Sequence, residues 1–113
     1  MIDESAFIAL TERVLDIIGA ALDAAGGDLD WSANDGVLTI ECADGSRVIV
    51  NRHVPNRELW VAAKSGGFHF RAESGAWRDT KSGEELGSAL ERVLQSQGGV
   101  VVQLPPLLAG TVA

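Results

Sequence analysis

Apolar and polar residues alternate along residues 37–70, and turn-forming groups interrupt the alternation at short intervals. These groups are Asp44-Gly45, Val54-Pro55-Asn56 and Ser65-Gly66-Gly67. A period of two is typical of antiparallel strands that bury one face and expose the other to water. The pattern therefore predicts an antiparallel meander over this segment.

Helical periodicity appears on both sides of the meander. Residues 4–25 carry apolar residues at spacings of three and four, with Asp3 placed to cap the helix and Gly26-Gly27 placed to end it. A second helix is predicted from the sequence SGEEL, in which Ser82 and Glu85 have the spacing of a capping box, to Gly98-Gly99. The apolar tail over 100–113 is expected to pack across the domain.

Short segments before and after the meander complete the predicted sheet. Asp30–Asn34 precedes an Asp-Gly turn and is expected to form a first edge strand, and a piece around Trp77 is expected to form the other edge. Two amphipathic helices need a common apolar surface, which one face of a sheet provides. The predicted fold class is α+β: a two-layer α/β sandwich with an N-terminal helix, a five- or six-stranded antiparallel sheet and a C-terminal helix. It forms one domain over 1–113, with a core over 4–97.

Trp60 is the exception to the simple alternation. Within Glu58–Ala63, Trp60 shares its phase with Glu58, and a glutamate is expected to face water. Trp60 is therefore expected on the open face of the sheet, away from the helices. If Val48 and Val50 face the core, the open face also holds three residues of the preceding strand: Arg47, Ile49 and Asn51.

Length and composition favour a soluble globular domain. The chain has 113 residues, 46% of them hydrophobic, and no apolar run approaches the ~20 residues that a membrane span needs. No signal-peptide pattern is visible at MIDESAF, and the single cysteine, Cys42, excludes an internal disulfide and a cysteine-based zinc site. A cytoplasmic location is expected.

Acidic residues are concentrated in the first third of the chain. The net charge is −7, and residues 1–44 hold ten of the sixteen acidic residues but only one basic residue, Arg13. Nucleic acid and anionic membranes are therefore poor partners. A cation or a basic protein surface would suit this region, although a face that only confers solubility would look the same.

Three of these acids fall on one face of the predicted first helix. Glu12, Asp16 and Asp23 lie opposite its apolar stripe, and only Glu12 and Asp16, four residues apart, could share an ion. Asp28 and Asp30 follow the helix and extend the acidic strip. Carboxylates favour hard cations, and along a solvated helix they would form shallow sites. A soluble helix would carry its charges on this face in any case.

Signatures of catalysis are missing from the chain. The sequence has no paired Ser/His/Asp order, no phosphate-binding glycine loop and no His/Cys metal spacing. His53 and His69 are interpreted as incidental polar residues, and Cys42 as a small core residue rather than a nucleophile. We therefore do not expect an enzyme.

The most specific feature of the meander is a set of residues in fixed order: Gly45-Ser46, Asn51-Arg52, Pro55, Trp60 and Gly66-Gly67. They lie in the run GVLTIECADGSRVIVNRHVPNRELWVAAKSGGFHF, which WRD and SGEEL follow. Over roughly residues 4–97 this pattern resembles the frataxin family, in particular its short bacterial members.

The resemblance implies a helix–sheet–helix sandwich that acts in iron–sulfur cluster assembly as an iron-binding regulator or iron donor. It implies weak, reversible binding of Fe²⁺ or Fe³⁺ on an acidic ridge, with cysteine desulfurase and the iron–sulfur scaffold protein as partners. A monomer is expected without iron, and weak iron oxidation is left open. By position, the acidic ridge comprises Glu4, Glu12, Asp16, Asp23, Asp28 and Asp30. The partner-binding positions are Asn51, Arg52 and Trp60.

The chain departs from the family pattern at three places. Ala24–Gly27 stands where bacterial relatives often have more acids, and Ile8 stands where a histidine sometimes occurs. Both changes imply weaker iron binding, which bears more on iron storage than on docking. His53 replaces a common glutamine. Two alternatives remain: a protein-binding adaptor that uses its sheet face and binds metal incidentally, and iron storage or detoxification by iron-driven oligomers.

Overall fold

The computed structural model of the protein describes residues 2–27 and 29–109. In chain order the elements are α1 (Glu4–Ala25), β1 (Asp30–Asn34), β2 (Val37–Glu41), β3 (Arg47–His53), β4 (Glu58–Ala63), β5 (Gly66–Glu73), β6 (Ala76–Asp79) and α2 (Leu86–Gly98). The six strands form one antiparallel sheet in sequence order. The predicted α+β sandwich is confirmed, with six strands rather than five.

The first helix has the predicted bounds for the predicted reasons. The Asp3 carboxylate accepts a 2.8 Å hydrogen bond from the Ala6 amide, which satisfies one of the free donors at the helix start. The helix ends at Gly26, whose φ of 68° is accessible to glycine. Its apolar stripe packs into the core, where Phe7 meets the ring of Trp77 edge-on.

The second helix begins later than predicted. Its N-cap is Glu85, whose carboxylate accepts hydrogen bonds from the Gly87 and Ser88 amides. The predicted capping box between Ser82 and Glu85 is wrong: the Ser82 hydroxyl accepts instead from the Glu84 amide. Gly83, with a φ of 79°, interrupts any helix before that point. The helix ends at the predicted place, with Gly99 as C-cap.

The register of the sheet confirms the predicted faces. Val50 pairs with Val61, and Asn51 pairs with Trp60 on the opposite face. The inner face supplies the core, which it shares with both helices; its fully buried strand residues include Leu38, Ile40, Val48, Val50, Leu59 and Phe70. Cys42 is 4% exposed and belongs to this core, as expected.

The C-terminal tail closes the far edge of the sandwich. Val102, Leu107 and Ala109 are buried, and the Trp77 indole N–H donates to the Leu108 carbonyl. The expectation of packing for 110–113 lies outside the described residues. Over the ranges 2–27 and 29–109, no helix has the length and apolarity that a membrane crossing requires.

Candidate cation ridge and open sheet face

The helix α1 runs beside the edge strand β1 in the opposite direction. Asp23, near the end of the helix, lies at Trp31 near the start of β1. Glu12, about three turns earlier, lies beside Arg52, which crosses Gly36 after the end of β1. The exposed acids of the helix therefore border the edge of the sheet. Glu4 and Asp16 are also exposed on α1, whereas Asp28 lies outside the described residues.

Trp31 connects the acidic face of α1 to the sheet near the end of the helix. Its indole N–H donates a 2.8 Å hydrogen bond to Asp23 Oδ1. The indole lies directly against Gly19, where an added Cβ would come within 2.6 Å of Trp31 Cη2. This contact was not predicted from the sequence. A glycine within the helix was a possible signal, because glycine in mid-helix lowers stability and often marks a close approach of another group.

Arg52 connects the acidic face of α1 to the sheet near the middle of the helix. Its Nη1 lies 3.5 Å from Glu12 Oε1, and its side chain is only 10% exposed. Arg52 pairs with the buried Leu59, so it projects from the helix side of β3. Of the three predicted partner-binding residues, Asn51 and Trp60 thus share the open face, and Arg52 faces the acidic ridge.

Asp30 occupies the other side of β1. It pairs with Glu41, which pairs in turn with Arg47 and lies 3.6 Å from that guanidinium. Because side chains alternate along a strand, Asp30 projects toward the open face while Trp31 projects toward α1. The predicted ridge is therefore divided by the edge strand.

The divided ridge has consequences for metal binding. Within the part of the chain that the structure describes, no three His, Cys, Asp or Glu side chains lie close enough to hold an ion. Glu12 and Asp16, one turn apart and exposed, could supply one or two oxygens to a hard cation that keeps most of its water. This donor set could hold a hard cation only loosely and does not form a closed cage.

The open face is centred on Trp60, which stands between two histidines. Its ring stacks on His53 at 3.8 Å and 9°, and on His69 at 4.2 Å and 6°. Both faces of the indole are covered, so only the edge of the Trp60 ring can face outward. Both histidines therefore pack against the tryptophan, a contact that was not predicted from the sequence.

The Glu58 carboxylate fixes the orientation of the Trp60 indole through a hydrogen bond. Its Oε1 accepts a 2.8 Å hydrogen bond from the Trp60 N–H, and its Oε2 accepts from Arg71 Nε and Nη2. Glu58 is only 2% exposed, so the expectation that it faces water is wrong. Burial raises the pKa of the Glu58 carboxyl, but the bonds from Trp60 and Arg71 and the charge of Arg71 outweigh it. The pKa therefore lies below its ordinary 4.5.

Apolar and basic residues surround the three rings. Val37, Ile49 and Ala62 line a shallow groove beside Trp60. On the other side Arg71 pairs across the strands with Arg78, so the rim there is basic. An apolar patch with an aromatic centre and a charged rim has the character of a protein-binding surface.

Comparison with known proteins gives consistent matches. A family model described as a frataxin-like domain matches residues 1–100. The iron–sulfur cluster assembly protein CyaY of Dechloromonas aromatica is 48% identical over 103 residues, which cover 90% of this chain and 98% of that protein. The protein of the same name from Neisseria meningitidis serogroup B is 42% identical over 107 residues, covering 95% and 100%.

Solved structures agree with the fold. Frataxin from Psychromonas ingrahamii superposes with a TM-score of 0.85 at 28% identity, over 90% of this chain and 97% of that one. Yeast frataxin superposes with a TM-score of 0.60 at 18% identity, over 82% and 84% of the two chains, which shows a shared fold.

Proposed function

The chain belongs to the frataxin-like family, and from this membership we propose that it acts in iron–sulfur cluster assembly. The role is that of a regulator or iron donor without a catalytic site of its own, acting in the cytoplasm. The observation that carries the proposal is the exposed carboxylate face of α1 along the edge of the sheet, which the relatives' named role makes a candidate for iron.

Iron is the cargo in this proposal, and it binds at the helix side of the ridge. Glu12 and Asp16 lie one turn apart with exposed side chains, and Fe²⁺ accepts carboxylate oxygens while retaining water. Few protein ligands and full access to solvent favour weak, labile binding. Such binding suits a protein that passes an ion on better than one that stores it.

Docking uses the same acidic region and the open face. The exposed acids of α1, which belong to the acidic first third of the chain, would meet a basic surface of the cysteine desulfurase. The block formed by Trp60 and its two histidines would contact the desulfurase or the scaffold protein. Asn51, opposite Trp60 in the sheet, would add an amide to this contact.

A second candidate function is an adaptor that binds proteins and holds metal only incidentally. It is favoured by the fixed orientation of Trp60, which two stacking rings and a buried carboxylate maintain. It is also favoured because no three-ligand cluster occurs among residues 2–27 and 29–109. In this case Trp60→Ala would abolish partner binding, and neutralising the ridge would leave it unchanged.

Anaerobic calorimetric titration with Fe²⁺ tests the ridge. The double variant Glu12→Gln/Asp16→Asn removes two negative charges from α1, and Glu73→Gln/Glu84→Gln removes two from β5 and the turn before α2. We expect the ridge variant to weaken binding by roughly tenfold or more and the matched control by less than about twofold. Equal affinities for the two variants would refute the ridge as the iron site.

A further inference from the structure

We infer that Arg52 is a built-in competitor for the cation on the acidic ridge. In the cation-free protein its guanidinium is paired with Glu12, and an ion that binds between Glu12 and Asp16 competes with it for the Glu12 carboxylate. The inference rests on the proposed function, because it concerns the regulation of the same site. It assigns Arg52 a role on the helix side of the sheet instead of at the partner face.

The backbone directs Arg52 toward the ridge. Its position on β3, opposite the buried Leu59, sends its side chain to the helix side. The guanidinium then crosses Gly36 so closely that an added Cβ would lie 2.8 Å from Nε, Cζ and Nη2. With a side chain that is 10% exposed, Arg52 has little room to turn away from Glu12.

The competition follows from charge and from shared acceptor atoms. A guanidinium and a hard cation both require the lone pairs of the Glu12 carboxylate, so the two cannot use the same oxygen fully. The positive charge of Arg52 also repels a cation held a few ångströms away. Glu12 is itself 58% exposed, so solvent limits the effect to a modest factor.

Trp31, the other sheet residue that contacts an acid of α1, affects the ridge differently from Arg52. Trp31 binds Asp23 through a neutral indole N–H, which orients the carboxylate and adds no charge to the ridge. Asp16 makes no ion pair or side-chain hydrogen bond with any residue in the described ranges. On the ridge, the Glu12 carboxylate is thus paired with a positive charge. The neighbouring Asp16 carboxylate has no such pair among the described residues.

The test is anaerobic titration with Fe²⁺ of the full chain and four variants. Arg52→Gln and Arg52→Met both remove the positive charge, but their side chains differ in shape. If one of the two variants does not fold, the other still provides the measurement. Arg52→Lys keeps the charge. Arg47→Gln is the matched control, because it removes the same charge from the same strand and breaks a comparable pair, with Glu41 at 3.6 Å. Circular dichroism and thermal unfolding establish that each variant is folded.

We expect Arg52→Gln and Arg52→Met to bind Fe²⁺ roughly three- to fivefold more tightly than the unmodified chain. Arg52→Lys and Arg47→Gln should stay within about twofold of it. In a Glu12→Gln background the gain from Arg52→Gln should shrink to that of the control, because the competed carboxylate has been removed.

Two results would overturn the inference, and they differ in what else they overturn. If Arg52→Gln and Arg52→Met match Arg47→Gln while Glu12→Gln/Asp16→Asn still weakens binding, Arg52 is only a structural tie and the proposed iron site stands. If Glu12→Gln/Asp16→Asn leaves binding unchanged, the proposed site is wrong and the inference falls with it.

Discussion

A single buried carboxylate determines the orientation of Trp60, the half-buried tryptophan on the open face of the sheet. Glu58 accepts from the Trp60 indole and from Arg71, and it is the only acidic residue of the described ranges that is almost fully buried. A buried charge is tolerated when its hydrogen bonds are satisfied. Glu58 therefore both stabilises the fold and fixes the proposed docking residue.

Replacing Glu58 should reveal both roles. Glu58→Gln keeps one acceptor for Trp60 but loses the charge that holds Arg71, and we expect a loss of roughly 1–3 kcal/mol in the free energy of unfolding. Urea denaturation measures the loss. Glu73→Gln, at an exposed position on β5, is the control and should change stability by less than about 0.5 kcal/mol. Equal stabilities of Glu58→Gln and the unmodified chain would mean that the charge of Glu58 does not stabilise the folded state.

The same carboxylate makes a prediction about pH. Its pKa in the folded protein lies below the ordinary value of 4.5, so its contribution to stability is present above that value and is lost as the pH falls through the folded pKa. The stability difference between the unmodified chain and Glu58→Gln should therefore be full near about pH 7 and should shrink toward about pH 3. Denaturation curves across this range provide the measurement. A difference independent of pH would contradict the assignment.

Single residues mark the limit of what the sequence predicts. The period of two placed Trp60 on the open face, and the structure agrees. The supporting argument that Glu58 faces water was wrong, since Arg71 and Trp60 cover it. Burial of this kind depends on which residue each strand places opposite its neighbour. Periodicity within one strand does not by itself fix that register, which also depends on the turns and on the neighbouring strand.

At the scale of elements, the packing of α1 against β1 depends on a glycine, Gly19, which leaves room for the Trp31 ring. Gly19→Ala would favour the helix by up to about 1 kcal/mol on propensity alone. Its Cβ would, however, meet the Trp31 ring at 2.6 Å. We expect a net loss of about 1–2 kcal/mol in the free energy of unfolding. The steric clash with the rigid ring should destabilise the protein by more than the higher helix propensity of alanine stabilises it.

The matched background is Trp31→Ala, in which the clash is absent. There Gly19→Ala should raise the free energy of unfolding by up to about 1 kcal/mol. A change of sign between the two backgrounds, measured by thermal or urea unfolding, identifies the close approach as the cause. A loss of the same size in both backgrounds would show that Trp31 is not what requires a glycine.

The tail offers a pair of neighbouring leucines for comparison. Leu107 is 3% exposed and Leu108 is 62% exposed. Leu107→Ala should lower the free energy of unfolding by roughly 2–4 kcal/mol, because it leaves a cavity, while Leu108→Ala should cost less than about 1 kcal/mol. Urea denaturation separates the two. Similar losses would mean that the tail does not pack as the structure describes.

Element bounds were predictable where capping and periodicity agree. Asp3, the stripe of α1 and Gly26 all indicate the same helix, and the structure has it at the predicted residues. For α2 the local signals conflicted: Ser82 and Glu85 resemble a capping box, but Gly83 adopts a left-handed conformation and Glu85 itself caps the helix. Contacts between elements, such as Arg52 with Glu12, join residues forty positions apart and leave no local pattern.

At the scale of the whole molecule, charge is segregated. Acids dominate α1 and the first strands, while Arg71 and Arg78 lie together at the far end of the open face. Such an arrangement orients an approaching partner and makes association sensitive to salt. Composition alone predicted the acidic third. The resemblance to the frataxin family was needed to connect it with iron and with a partner, since many soluble proteins carry an acidic helix.

The affinity for the organism's own cysteine desulfurase, measured at low and high ionic strength, tests the central claim most directly. Asp16→Lys and Glu73→Lys change the net charge equally at exposed positions, one on the acidic ridge and one on β5. We predict that Asp16→Lys weakens binding by roughly tenfold at low salt and by less at high salt, while Glu73→Lys has little effect. Equal binding by both variants at low salt would contradict a role for the ridge in docking.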